Sequence, residues 1–232
     1  MPPIRALIFD VFGTLVDWHG GISREVRDLL GEQVPDPAQF ALDWRAQYQP
    51  TMQRVRSGEL PFCKLDELHR LNLDQVLADR GLHRVDEATR VRLNLAWHRL
   101  DAWPDVAPGL RRLRERFRVA PCSNGNISLM ADLARRNGWH WDAITGAELA
   151  RDYKPKPVVY LSAAAAFDCE PAEVLMVAAH SSDLAAAAAC GLRTAHLARP
   201  DEHGPGVGER RAGVPVDRQA DGLEDLAAQL GC

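Results

Sequence analysis

Residues 4–15 read Ile4-Arg5-Ala6-Leu7-Ile8-Phe9-Asp10-Val11-Phe12-Gly13-Thr14-Leu15. A short apolar run that ends on a carboxylate and then on a Gly-Thr turn is the pattern of a buried strand breaking into a loop. The pattern recurs downstream. Residues 117–122 run into Ser123-Asn124-Gly125-Asn126, residues 174–179 run into His180-Ser181-Ser182-Asp183, and residues 192–197 follow a stretch closed by Gly191. Helices are expected between these runs over 108–116, 127–137, 157–167 and 183–190. Alternation of strand, polar loop and helix predicts an α/β fold with a doubly wound, Rossmann-like parallel sheet. Ligands bind such sheets at the carboxyl ends of the strands.

Residues 16–98 break the alternation. Amphipathic helices are expected there over 21–31, 36–56, 61–80 and 86–99, punctuated by Gly31, Pro35, Pro50, Gly58, Pro61 and Gly81, with no strand-like run. We read this stretch as a helical cap subdomain inserted after the first strand, where it would sit over that strand's carboxyl end. Residues 1–15 and 99–232 then form the α/β catalytic core. Residues 199–219, rich in Gly, Pro and charge, read as a loop before a final helix.

Composition narrows the function. The 232 residues carry 28 basic and 32 acidic side chains, a formal net charge of -4. A nucleic-acid partner would demand a clustered basic excess. The apolar runs are far short of the roughly 20 residues that span a bilayer, and the amino terminus lacks the charged and apolar regions of a secretory signal. A cytoplasmic protein with no nucleic-acid or membrane partner is expected. Five scattered cysteines fit no disulfide or metal spacing and read as small buried residues. Arginine supplies all but three of the basic residues, the exceptions being Lys64, Lys154 and Lys156. Against that background a lysine kept at position 154 stands out, because a compact ammonium approaches a carboxylate end-on where a guanidinium would crowd it.

The chemistry-bearing residues lie at the predicted strand ends. Asp10, beside a turn with free backbone N–H groups, is placed either as a nucleophile or as a turn cap. Thr14 either hydrogen-bonds Asp10 or caps the following turn. Asn124 reads as a ligand contact or as the turn residue before Gly125, and Tyr160 as a core aromatic or as a hydrogen-bond partner of Lys154 or Asp10.

Taken together, these residues resemble the haloacid dehalogenase superfamily. Residues 9–15 look like its first motif, Ser123-Asn124-Gly125 its second, Lys154-Pro155 its third, and the loop ending in Asp183 its fourth, in the family's order and with its helical insertion. Phosphatases of the superfamily carry a second Asp two residues after the nucleophile, as general acid and base. Here that residue is Phe12. A phenyl ring handles no proton, whereas a halide departs as a stable anion, so Phe12 favours carbon–halogen cleavage. Trp44-Arg45 and the spacing from Lys154 to Tyr160 are similar to the type II (L-2-haloacid) dehalogenases.

The resemblance implies a catalytic set of Asp10 as nucleophile, Thr14 and Lys154 as its orienting partners, and Asp183 as activator of water. Substrate and halide contacts are implied for Val11, Phe12, Arg45, Ser123, Asn124, Tyr160 and His180. Arg45 would receive the departing halide and Ser123 with neighbouring amides the substrate carboxylate; without the resemblance Arg45 is one solvated arginine among many. Phe62 would line the pocket or pack within the cap. The fourth motif departs from the family's Ser-x-Asn-x-x-Asp, with Ala178 and His180 at the first two positions. His180 reads as a general base or as a hydrogen-bonded structural residue. A metal-free and cofactor-free site is expected, because the fourth motif offers one carboxylate and Lys154 competes with a cation for Asp10. The expected substrate is a short halogenated carboxylic acid. A phosphatase or phosphonatase and a non-catalytic anion-binding protein are the rival readings. A homodimer is an expectation of the resemblance alone.

Overall fold

The computed structural model describes residues 2–232. In chain order the strands are β1 (Ala6–Phe9), β2 (Arg118–Ser123), β3 (Thr145–Gly146), β4 (Val174–Ala178), β5 (Arg193–Leu197) and β6 (Arg218–Ala220). They form one sheet in the order β3-β2-β1-β4-β5-β6, and every pairing is parallel. All four residues of β1 are fully buried, which explains its continuous apolar run: a central parallel strand is covered on both faces. The chain winds from β1 outward through β2 and β3, then crosses back to start β4 on the other side of β1. That reversal leaves a crevice at the carboxyl ends of β1 and β4, the usual ligand position in such sheets.

Helices α1 (Trp18–Leu30), α2 (Pro37–Ala46), α3 (Tyr48–Arg56), α4 (Leu65–Asp79) and α5 (Glu87–Asn94) lie between β1 and β2, followed by a 3-10 turn at Leu95–Arg99. The remaining helices are α6 (Val106–Arg114), α7 (Ile127–Asn137), α8 (Ala147–Ala150), α9 (Pro157–Ala165), α10 (Ser181–Ala189) and α11 (Leu223–Gln229). The single helix expected over 36–56 is two. Pro50 has no N–H to give to the Ala46 carbonyl, so the ladder breaks at Gln47 and Pro50 falls in the first turn of α3, where it is tolerated. The expected helix over 86–99 likewise tightens into 3-10 form after Asn94. The expected loop over 199–219 runs into the edge strand β6. Of the cysteines, only Cys122 and Cys169 are buried; Cys63, Cys190 and Cys232 are partly exposed, and all five are free.

One continuous apolar cluster joins the sheet to the helices between β1 and β2. Phe9, Leu15 and Val177 belong to it together with Trp18, Trp44 and Trp97. Phe12 bridges the two parts, its ring edge-on to Trp97 at 5.5 Å. Polar ties add to the packing: His98 stands between Asp66 of α4 and Asp132 of α7, at 3.1 and 2.8 Å. Arg56 of α3 donates to the Lys154 carbonyl at 2.9 Å. No helix among the described residues is long and apolar enough to cross a membrane.

Candidate active site

Asp10 continues β1 by one ladder bond, its N–H donating to the Val177 carbonyl at 3.0 Å. The chain then turns sharply. Leu15 and Val16 both donate to the Val11 carbonyl, and Gly13 takes φ 81, a left-handed conformation that costs glycine no Cβ clash. This turn delivers Thr14 back onto the strand end. Its hydroxyl donates to Asp10 Oδ2 at 2.7 Å and accepts from the Ala179 N–H at 2.9 Å, so Thr14 ties the ends of β1 and β4 together.

Lys154 arrives from the loop before α9. Its ammonium donates to Asp10 Oδ1 at 2.8 Å and to Asp183 Oδ2 at 2.5 Å, with only 7% of its side chain exposed. Burial alone would raise the Asp10 carboxyl, but Lys154 and then His180 overcome it and hold the group far below the usual carboxylate range. Burial likewise works against the Lys154 charge, and Asp10 and Asp183 reverse it and keep the ammonium protonated. Asp183 sits in the first turn of α10. Its other oxygen, Oδ1, accepts from the Tyr160 hydroxyl at 2.5 Å, so the aromatic on α9 is both buried and hydrogen-bonded to the acid.

A cleft of about 860 Å³ opens over this cluster, within the range of small-molecule sites. Asp10, Phe12, Arg45, Asn124, Lys154, Tyr160, His180 and Asp183 all line it. Val11, Thr14 and Ser123 do not. Val11 is fully buried in the apolar cluster. Ser123 is fully buried, and its hydroxyl accepts from the Gly125 N–H at 3.0 Å, which shapes the turn after β2 instead of reaching the cleft. Asn124 spends its amide oxygen on the Lys154 N–H at 2.9 Å. Phe62 packs on Tyr153, ring centroids 5.5 Å apart, away from the cleft. Burial pushes the Cys122 thiol up to about 12, so this cysteine is inert at neutral pH. Lys156 is exposed and stands at the cleft's rim.

Arg45 reaches the cleft from α2 through a wall of rings. Its guanidinium carbon lies 3.9 Å from the Tyr48 ring centroid, 5.3 Å from Trp18 and 6.0 Å from Phe12. Its buried Nη1 has no hydrogen-bond partner among the described residues. A desolvated N–H donor of full positive charge, left unpaired, is a seat for an anion.

Of the two roles open to His180, the hydrogen-bonded one matches its surroundings. Its Nδ1 stands 3.1 Å from Asp10 Oδ2, and its Nε2 lies 2.9 Å from both oxygens of Glu202. Burial opposes its charge, but hydrogen bonds to Asp10 and Glu202 raise it to about 10. The ring is therefore an imidazolium at neutral pH and has no lone pair with which to act as a general base. Glu202, a buried acid of the 199–217 loop, also accepts from Trp18 Nε1 at 3.0 Å. Nothing in the local sequence singles it out, since it lies in a Gly/Pro/charge stretch that carries no periodicity.

The donor set does not suit a divalent cation. The Lys154 ammonium fills the position between the two carboxylates, and the His180 ring faces Asp10 Oδ2. Among the described residues no group of three or more His, Cys, Asp or Glu is arranged to hold a metal.

A doubly wound parallel sheet with a buried Asp–Lys–Asp cluster at its strand ends, and a cleft over it that Arg45 and Tyr48 also line, defines an α/β protein with a small-molecule site. The chain belongs to the haloacid dehalogenase-like hydrolases: that family's profile matches residues 4–191. It is 30% identical over 204 residues to (S)-2-haloacid dehalogenase 1 of Pseudomonas sp. (strain CBS-3), covering 86% of each. It is 29% identical to haloacetate dehalogenase H-2 of Moraxella sp. (strain B), covering 86% of this chain and 88% of that one. The crystal structure of a defluorinating L-2-haloacid dehalogenase superposes with a TM-score of 0.94 at 43% identity, covering 99% of this chain and 96% of the other. A further L-2-haloacid dehalogenase structure gives 0.93 at 44% identity, covering 98% and 99%.

Proposed function

We propose that this chain hydrolyses short 2-halogenated carboxylic acids, giving a 2-hydroxy acid and halide through an ester on Asp10. The observation that carries the reading is the state of Asp10: a desolvated carboxylate kept ionised by Lys154, with Phe12 where a phosphatase needs its proton-transfer acid. A buried carboxylate held in place is a nucleophile for carbon. In this reading Asp10 attacks the halogen-bearing carbon from behind, the C–X electron pair leaves with the halide, and the configuration inverts.

The roles of the surrounding residues follow from what they touch. Thr14 and Lys154 orient Asp10. Arg45, with its unpaired Nη1 among aromatic rings, receives the halide, and Phe12 walls that seat. The substrate carboxylate lies against backbone N–H groups of the loop after β2 and the Asn124 amide, since Ser123 is fully buried and does not line the cleft. Asp183, held by Tyr160 and Lys154, draws a proton from the water that attacks the ester. The helices of residues 16–98 serve as the cap that excludes bulk water and supplies Arg45.

The names of the relatives support this substrate class. The 43% identical structure is of a defluorinating L-2-haloacid dehalogenase, which supports including fluorinated acids beside chlorinated and brominated ones in the test. The test is halide release from a panel of fluoro-, chloro- and bromo-acids, with EDTA present, for wild type and Asp10→Asn. The reading expects EDTA-insensitive release that Asp10→Asn abolishes. Absence of halide from every acid, together with Mg²⁺-dependent phosphate release from small esters, would overturn it in favour of a phosphatase. A cytoplasmic location is part of the same reading.

A further inference from the structure

The two oxygens of Asp10 are not equivalent. Oδ1 has one hydrogen-bond donor, Lys154 at 2.8 Å, and keeps a lone pair free. Oδ2 accepts from the Thr14 hydroxyl at 2.7 Å and has His180 Nδ1 in ion-pair contact at 3.1 Å, so it is the more engaged of the two. Oδ1 is thus the attacking atom, and Oδ2 becomes the carbonyl oxygen of the ester. A carbonyl oxygen between two preset donors is where charge develops when water adds to it.

We propose that His180 and Thr14 form the oxyanion site for hydrolysis of the Asp10 ester, and that Glu202 is the positioning residue that holds the His180 ring against Oδ2. The inference rests on the aspartyl-ester reading above. Water adds to Cγ, its proton passes to Asp183, and the carbonyl pair moves onto Oδ2. The pair then returns and the Cγ–Oδ1 bond breaks. Oδ1 leaves as the product hydroxyl with the proton that Asp183 took, passed across the ammonium that touches both groups. Asp10 re-forms with Oδ2 and the water oxygen, and the second proton of water goes to solvent.

Glu202 matters most at this stage. In the free enzyme both Asp10 and Glu202 face the ring, whereas in the ester Asp10 carries no charge and Glu202 alone keeps the imidazolium protonated. A charged donor stabilises an oxyanion more than the neutral amide of the family's usual Asn would. The seat of Glu202 is built for it. Trp18 Nε1 donates to Oε1, and a Cβ on Gly13 would lie 2.1 Å from that atom. The other charged and titratable groups around the ring are Lys154 from the loop before α9, Asp183 and Glu209 beside α10, Arg45 from α2, His203 from the Glu202 loop and His196 on β5. Lys154 and Arg45 oppose a charge on His180, while Asp183 is engaged by Lys154 and Tyr160 and Glu209 by Ser181, which leaves Glu202 as the carboxylate in contact with Nε2.

Rapid quenching with 2-chloropropionate separates the steps: halide release reports attack, and intact-protein mass reports the ester. For Glu202→Gln the expected result is a halide burst of one equivalent within a few-fold of the wild-type rate. Ester hydrolysis should slow on the order of 10²-fold, with the ester as the accumulating form. Its hydrolysis should also fall as pH rises through neutrality, where wild type holds its rate, and Glu202→Asp should restore part of both. His180→Asn, which keeps an N–H without the charge, should accumulate ester in the same way and serves if Glu202→Gln does not fold. Equal slowing of both steps without ester, or hydrolysis and a pH profile like wild type, would overturn the inference. No halide from wild type would instead overturn the reading on which it rests.

Discussion

The Lys154 ammonium lies 2.8 Å from Asp10 Oδ1 and 2.5 Å from Asp183 Oδ2, all three side chains at most 10% exposed. One lysine thus fixes two carboxylates with separate tasks. Lys154→Arg keeps the charge but inserts a planar fork where an end-on ammonium fits; turnover should fall at least 10²-fold in steady-state assays. Lys154→Met leaves buried Asp183 without a cation and Asp10 with His180 alone, and should cost about 3–5 kcal/mol of stability in urea unfolding.

Tyr160 donates one bond to Asp183 Oδ1. Removing it in Tyr160→Phe leaves the carboxylate held by Lys154 alone and widens its range of orientations. The expected loss is about 1–3 kcal/mol in stability, as for a hydrogen bond to a charged group. Single-turnover ester hydrolysis should slow more than halide release.

Arg45 should govern the first step. Arg45→Lys keeps a cation but loses the flat contact with Tyr48 and the delocalised donor array. Halide release should slow, most for fluoride, the poorest leaving group and the one that needs donors most. Equal slowing across fluoro-, chloro- and bromoacetate would show that Arg45 acts only on substrate binding.

Stability should depend on pH through His180 and Asp10 with opposite signs. The folded protein raises His180 to about 10, against an unfolded value of about 6.5. Its contribution is fully present below the unfolded value and is lost as pH rises through about 10. Asp10 is depressed in the fold, so its contribution is present above the unfolded value of about 3.9 and is lost as pH falls toward the folded value. Melting temperatures should therefore decline on both sides, and His180→Asn should flatten the alkaline side.

Gly13 takes a positive φ, and Glu202 occupies the space where its Cβ would be. Gly13→Ala combines backbone strain of order 1–2 kcal/mol with displacement of Glu202. Circular dichroism melts should drop, and activity should fall further than the lost stability explains.

The sheet and the cluster around Asp10 were readable because Asp10 and His180 directly follow apolar runs, with Asn124 and Asp183 in the short polar stretches after such runs, and a strand end fixes where its next residue points. Lys154 was readable from the scarcity of lysine in the chain and from the family resemblance of its loop. Val11 and Ser123 share those strand ends, but alternation turns one into the core and the Gly125 turn captures the hydroxyl of the other. Glu202 and Trp18 were not legible, because they meet His180 only through a fold that brings residues 18, 180 and 202 together. The two-residue β3 and three-residue β6 are too short to show a period.

The central claim is a covalent bond between substrate and Asp10. Single-turnover reaction in oxygen-18 water, with enzyme in excess over 2-chloropropionate, tests it most directly. The account predicts label in the peptide that carries Asp10 and an unlabelled hydroxyl in the first-turnover lactate, because that hydroxyl carries the original Oδ1. Label in the lactate with none in Asp10 would mean that water displaces the halide directly, and would contradict the account.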